Sequence, residues 1–251
     1  MFGEARRQAV GVAVAGLVWV GAVACGASGG GSGEQDGKAP AEAAEAGKRT
    51  AGPAALTEAQ LKAAAFTDGE SVGTYTASDY TLGGPHSDDY TAAPAVCQPL
   101  VSLASDVTAY RPKAAVSRRV EIPGETPGPT IAVQLRSYAG GDAARVMKAV
   151  GKAGKECAGG FTEERAVAEG EYLKVEPVQP PAFGDEARAY HFTILDVKGK
   201  LTLHEYLTVV RSGSATLSFR GEITDTKDIG GVPREILDAQ WEKFETAVGG
   251  R

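Results

Sequence analysis

Over the second half of the chain, apolar and polar residues alternate in short runs separated by turn residues. Tyr190, Phe192 and Ile194 share one face of residues 187–197. After Lys198-Gly199-Lys200, Leu201, Leu203, Leu207 and Val209 share one face of 201–211. After a turn at Ser212-Gly213, Ala215, Leu217, Phe219 and Ile223 alternate with Thr216, Ser218, Arg220 and Glu222. A period of two belongs to a strand with one face on a core and the other nearer water, so these runs predict an antiparallel meander. Further strands are predicted at 71–80, 115–122, 130–138 and 171–178, the last closed by Pro180-Pro181.

Helical spacing marks four other stretches. Thr57 with Gln60 forms a capping box for a short helix ending near Phe66. Pro94 to Ser105 places Val96, Leu100 and Leu103 on one face. Asp142 caps a helix to Cys157 with Val146, Met147, Val150 and Ala153 as its apolar stripe. Pro233 opens a last helix carrying Ile236, Leu237, Trp241, Phe244 and Val248, which is expected to cover the meander. The class is α+β: a twisted antiparallel sheet of about five to six strands, with helices packed mainly on one face.

The first residues follow another pattern. Arg6 and Arg7 precede an uncharged run from Ala9 to Ala24. That run is shorter than the ~20 apolar residues a membrane-spanning helix needs. A basic start, an apolar middle and small residues at the end make a secretory signal peptide over 1–24. Ala22-Val23-Ala24-Cys25-Gly26 resembles the lipobox of bacterial lipoproteins. The resemblance implies acylation of Cys25, cleavage before it, and firm attachment to the outer face of the cytoplasmic membrane, since mature lipoproteins carry more than the one chain that binds marginally. An ordinary cleaved signal and an uncleaved anchor are the alternatives. Residues 25–55 hold the lipidated cysteine and a linker without one large apolar side chain. Such a stretch cannot offset the entropy of ordering; as a coil of about 30 residues it would span roughly 30 Å. One domain, 56–251, follows.

The formal net charge of −6 has no basic block to set against it. That argues against nucleic acid and against an anionic lipid surface as partners. With Cys25 acylated, Cys97 and Cys157 remain, and two cysteines in an oxidising compartment pair. A free thiol or a metal site is the other reading. A metal would need further soft ligands, and His86, His191 and His204 show no ligand spacing, so neither metal nor cofactor is expected.

Several pieces, in order, carry a family resemblance. They are Pro94-Ala95-Val96-Cys97, the helix closing on Cys157, Gly184-Asp185-Glu186-Ala187 before a strand, Val209-Val210-Arg211 ending one, and a C-terminal helix with Trp241 and Phe244. Together they resemble the extracytoplasmic sensor domain of actinobacterial Ser/Thr protein kinases, in the solitary lipoprotein form without kinase motifs. The resemblance implies a cleft for a small ligand, with Arg211 at a strand end beside it.

Catalytic sets are missing: there is no G-x-S-x-G, H-E-x-x-H or P-loop. His191 and His204 fall on neighbouring strands, where with Glu205 they would suit acid–base work; as plain polar strand residues they would do nothing chemical. Asp88-Asp89 and Glu163-Glu164 read as solvated loop pairs. Tyr75, Tyr80, Tyr90 and Tyr110, with His86, Asp88 and Asp89 near, are candidates for a ligand site such as a sugar-binding one or for half-buried packing. Tyr190, His204 and Arg211 are the residues assigned to ligand binding. The reading is a non-catalytic, monomeric envelope lipoprotein that binds or senses a small ligand or a partner protein. A secreted hydrolase and a protein-binding scaffold are the alternatives.

Overall fold

The computed structural model describes residues 53–249 except 105–107, 125–127, 166–167, 197, 223–225 and 227. The leader, Cys25 and the tether up to residue 52 lie outside the described residues. The unit described below falls within Lys48–Arg251.

Among the described residues ten strands form one sheet: β1 (Ser71–Val72), β2 (Tyr75–Ser78), β3 (Thr91–Ala93), β4 (Ala114–Glu121), β5 (Thr130–Ser137), β6 (Phe161–Glu164), β7 (Glu169–Val178), β8 (Glu186–Leu195), β9 (Thr202–Ser212) and β10 (Ala215–Glu222). The order is β1-β2-β4-β5-β10-β9-β8-β7-β6-β3, and each pairing is antiparallel. The helices are α1 (Glu58–Ala64), α2 (Gln98–Val101), α3 (Asp142–Glu156) and α4 (Arg234–Val248). Ten strands exceed the five or six that periodicity predicts. The excess lies in short pieces. Residues 71–80 split into a hairpin, with Val72 opposite Tyr75, and β3 and β6 are too short for alternation to register. Both sheet edges are short strands, which limits edge-to-edge pairing with another chain.

Register fixes which side chains share a face. Phe219 lies opposite Thr208 and Val133, while Arg220 lies opposite Leu207 and Ala132. Ile131, Val133, Leu135, Leu217 and Phe219 pack with α1 and α4 in one buried cluster. Tyr190, Phe192, Leu207 and Val209 pack with α2 and α3 in another. Successive residues of a strand point to opposite faces, so the two clusters sit on opposite sides of the sheet. Helices therefore cover both faces, not mainly one. The last helix shares its cluster with Leu217 and Phe219 of β10, Val210 of β9 and Ala187 of β8, while α3 covers the other face of β8 and β9. Thr216, Ser218 and Arg220, read from sequence as the watery face, are buried.

Local chemistry sets the helix ends. Thr57 Oγ1 accepts from Gln60 N–H at 3.3 Å, and Gln60 Oε1 accepts from Thr57 N–H at 2.8 Å, completing the capping box. The fully buried Gln240 of α4 accepts from Phe66 N–H at 3.1 Å and donates to Ala64 O at 2.6 Å, which fastens α4 to the end of α1. Asp142 is the first residue of α3 and Gly141 holds the cap position, one residue before the expected boundary. The β9–β10 turn is Gly213-Ser214, because Ser212 pairs with Ala215; Gly213 has φ +56°, a left-handed conformation that favours glycine. The predicted strand contact at Ile223 lies outside the described residues.

The α3 face toward β5 is polar, and a loop covers it. Asp88, in the 3-10 turn His86–Asp89, accepts from Arg136 at 2.9 and 3.1 Å, from Gln134 Nε2 at 2.8 Å and from Ser102 Oγ at 2.8 Å. Asp88 is thus a half-buried tie and not part of a solvated pair. Cys97 is bonded to Cys157 with Cα atoms 6.0 Å apart, joining the start of α2 to the end of α3. Among the described residues, no helix is long and apolar enough to cross a membrane.

Two stability predictions follow from this packing. Reducing the disulfide, or replacing both Cys97 and Cys157 by Ser, lengthens the free chain of the unfolded state by a loop of sequence separation 60. The expected loss is roughly 2–4 kcal/mol, read as a melting temperature lower by roughly 5–15 °C. In α3, a Cβ at Gly154 would run into the buried Tyr190 ring, whereas one at Gly151 would meet the movable end of Arg188. Gly154→Ala is expected to cost about 1–3 kcal/mol despite its better helix propensity. Gly151→Ala should be neutral or gain up to ~1 kcal/mol in urea denaturation.

Candidate functional site

A cavity of about 350 Å³ opens on the α3 face where β6, β7, β9 and β10 come together below His86 and Tyr90. Its polar floor is built from strand residues that point inward. Glu163 lies on β6 and is almost fully buried. Tyr172 on β7 stacks on Phe161 with ring centroids 4.2 Å apart and meets Phe192 edge-on at 5.5 Å. Those two rings fix its phenol, which lies 3.0 Å from Glu163 Oε2 and 3.4 Å from Glu205 Oε2.

Glu205 projects from β9 opposite Phe192 and is ion-paired with Arg220 of β10. The same guanidinium donates to the carbonyls of Leu100 and Val101 at the end of α2, to the latter at 2.9 Å. Those carbonyls have no partner within the helix, and a cation there answers both their hydrogen-bonding need and the helix dipole. Arg165 donates to Glu163 Oε1 at 2.6 Å and lies 5.4 Å from the Tyr90 ring centroid. Gly170 leaves the space Arg165 occupies, since a Cβ there would stand 2.9 Å from its guanidinium.

Three carboxyl groups, Glu163, Glu205 and Glu222, face two guanidinium groups, Arg165 and Arg220. The imbalance is met by protonation. Burial pushes the Glu205 carboxyl up to about 7; Arg220 opposes the shift, and Glu163 and Glu222 reinforce it. Burial also raises Glu222, with Glu163 adding to the effect. Tyr172 is held well above the ordinary phenol range, by burial first and by the two carboxylates next, so it stays a donor. Its single proton serves the shorter bond, to Glu163, and a protonated Glu205 can donate to the phenol oxygen in turn. Burial therefore favours the protonated Glu205 carboxyl up to about neutral pH, in a cavity with aromatic and aliphatic walls.

The three residues assigned to ligand binding from sequence do not converge. Tyr190 packs under α3, its hydroxyl 3.3 Å from Val150 O. Arg211 donates to Asp185 Oδ2 at 2.8 Å, and Asp185 N–H donates to Arg211 O at 2.8 Å. Gly184, at φ +60°, passes so close to Arg211 O that a Cβ would collide with it. The Gly184-Asp185 and Val210-Arg211 segments thus join the start of β8 to the end of β9. His204 follows Leu203 at the cavity's rim, but its Nδ1 lies 2.9 Å from His191 Nε2. That histidine pair is on the opposite face from Glu205, which removes the expected trio. Of the tyrosine group, Tyr90 lines the cavity with His86; Tyr80 has a buried hydroxyl, and Tyr75 and Tyr110 pack against different clusters.

Sequence reasoning did not assign Glu163, Tyr172 or Arg220 to the site, and it grouped Glu205 with the histidines instead of with them. One signal was present: the inward set Leu203, Leu207 and Val209 steps over Glu205, which has the same parity. Leu201, counted in that set, precedes β9 and is exposed. Glu163, read as half of a solvated pair, is inward in β6, while its neighbour Glu164 is exposed.

No family model matches the chain, and no curated protein matches it in sequence. Among solved structures, the extracellular domain of PknH from Mycobacterium tuberculosis aligns with 77% of this chain and 97% of its own, at TM-score 0.51 and 13% identity. The Rv0999 ortholog from Mycobacterium smegmatis, an uncharacterised protein, aligns with 70% of this chain and 84% of its own, at TM-score 0.33 and 16% identity. The first likeness is one of fold: the described domain has the overall architecture of that extracellular kinase domain.

Proposed function

We propose that the chain is a non-catalytic extracytoplasmic binding or sensing protein, held at the outer face of the cytoplasmic membrane by lipid on Cys25. Its ligand site is the cavity floored by Glu163, Tyr172 and Glu205. The observation that carries this reading is the convergence of those polar groups from three strands on one cavity of about 350 Å³. Small-molecule sites combine a concave apolar wall with a few convergent polar groups at this size. Carboxylate acceptors beside aromatic rings suit a small polar ligand that donates hydrogen bonds, through hydroxyl or ammonium groups. The fold shared with an extracellular kinase domain supports a sensing role, and the leader supports export.

A hydrolase is the second reading, and one observation favours it. Glu205, held at about 7 beside a second carboxyl, lies in the range of a general acid.

Screening cell-wall fragments and polar metabolites for a raised melting temperature separates the two. A binder gives a ligand-dependent rise that Glu163→Gln abolishes, with no product formed. Turnover of any such compound that Glu205→Gln abolishes would overturn the non-catalytic reading.

The raised Glu205 carboxyl also predicts a pH signature. The folded state binds this proton more tightly than the unfolded chain, so its stabilisation is complete below the ordinary value of 4.5 and is lost as pH rises toward about 7. Glu205→Gln carries no such proton. The stability difference should therefore move in favour of the variant between pH 4.5 and 7 and then level off, as read by thermal denaturation across that range.

A further inference from the structure

Two imidazoles and a carboxylate meet on the sheet face opposite the cavity. His191 on β8 lies opposite Tyr206, and His204 on β9 lies opposite Thr193, so the two histidines are diagonal neighbours across the ladder. Sequence spacing of 13 residues conceals this contact, because the β8–β9 turn creates it. Their ring planes differ by 17° with centroids 5.1 Å apart, and Nε2 of His191 faces Nδ1 of His204 at 2.9 Å. Asp228 closes the group: one donor atom from each of the three residues falls within 4.8 Å of the others.

We propose that His191, His204 and Asp228 form a binding site for a divalent transition-metal cation of the zinc class. The inference does not rest on the cavity's acid cluster, which lies on the other face; His204 at the cavity rim is the one residue the two share. Two imidazole nitrogens and one carboxylate make a borderline donor set that suits Zn2+ and its neighbours and not Mg2+ or Ca2+, which take oxygen cages. At ~2.0–2.1 Å from a tetrahedral cation, two nitrogens stand about 3.3 Å apart, so a small opening of the present pair admits the ion.

The surroundings orient two of the three ligands, Asp228 and His191. Asp228 Oδ1 accepts from Tyr206 O–H at 2.7 Å and from Gly230 N–H at 2.8 Å, which fixes the carboxylate. The Tyr206 ring stacks on His191 at 4.7 Å. On the far side of His191, Glu176 Oε2 stands 3.7 Å from Nδ1, where an outer carboxylate steadies a metal-ligating histidine. Three protein ligands leave one position for water or an outside group.

The test uses the full chain, purified in detergent, stripped with chelator and titrated with ZnCl2 by calorimetry. Co2+ serves as the spectroscopic probe. One Zn2+ per chain is expected, Co2+ should give the intense visible bands of a tetrahedral site, and Mg2+ should not compete. His204→Gln and Asp228→Asn should each weaken Zn2+ binding at least tenfold, roughly the size of ligand-shell effects. Asp228 is exposed, so its variant keeps the test readable if the His204 change impairs folding. Zn2+ affinity unchanged in a folded Asp228→Asn and in His204→Gln would overturn the proposal, as would no binding up to millimolar Zn2+.

Discussion

Arg220 is the side chain on which the cavity and the α2 segment both depend. It leaves the middle of the sheet on β10, is almost fully buried, and uses its two terminal nitrogens for different partners. One meets Glu205; the other meets the last carbonyls of α2. A guanidinium suits this because it is planar, stays charged when buried, and offers donors in a fixed fork. Without it, Glu205 would lose its counter-charge and the carbonyls of a four-residue helix would be unpaired and desolvated. Either loss is of the kind that costs several kcal/mol in a buried setting.

Arg136 repeats the device on the adjacent strand, β5, by taking Asp88 from the 3-10 turn. The two arginines hold down the segment that roofs the cavity, and the Cys97–Cys157 bond ties the same segment to α3. Apolar packing organises the other face and the α3 end, where α1, α4 and α3 bury continuous clusters. The roof is held differently, by charge and a covalent bond over a polar strip. A surface assembled that way leaves room for a polar cavity, which a close-packed aliphatic interface would fill.

Each face of the β8–β9 pair thus presents a different chemistry. Glu205 and its neighbours His204 and Tyr206 are adjacent in sequence but point to opposite sides. One side chain joins a buried acid cluster and the others join an imidazole–carboxylate group. Strand geometry makes this arrangement available at no cost in chain length, because successive residues are separated by the thickness of the sheet.

Much of the architecture was legible from residue order. Alternation located β5, β8, β9 and β10 to within a residue or two, the 3.6-residue stripe located α3 and α4, and Thr57 with Gln60 marked the cap of α1. These are local properties, set by side-chain direction and by hydrogen bonds between near neighbours. The pairing of Cys97 with Cys157 was legible as well, since it followed from counting. What residue order alone left undetermined is what covers each face of a strand. Arg220 and Ser218 looked solvent-facing because they alternate with Leu217 and Phe219, and it is the return of residues 86–103 over that face that covers them. The same holds for Glu163, Glu205 and the His191–His204 contact: each gains its partners from strands distant in sequence. Local periodicity encodes which way a side chain points; the environment it points into is set by contacts between segments far apart in the chain.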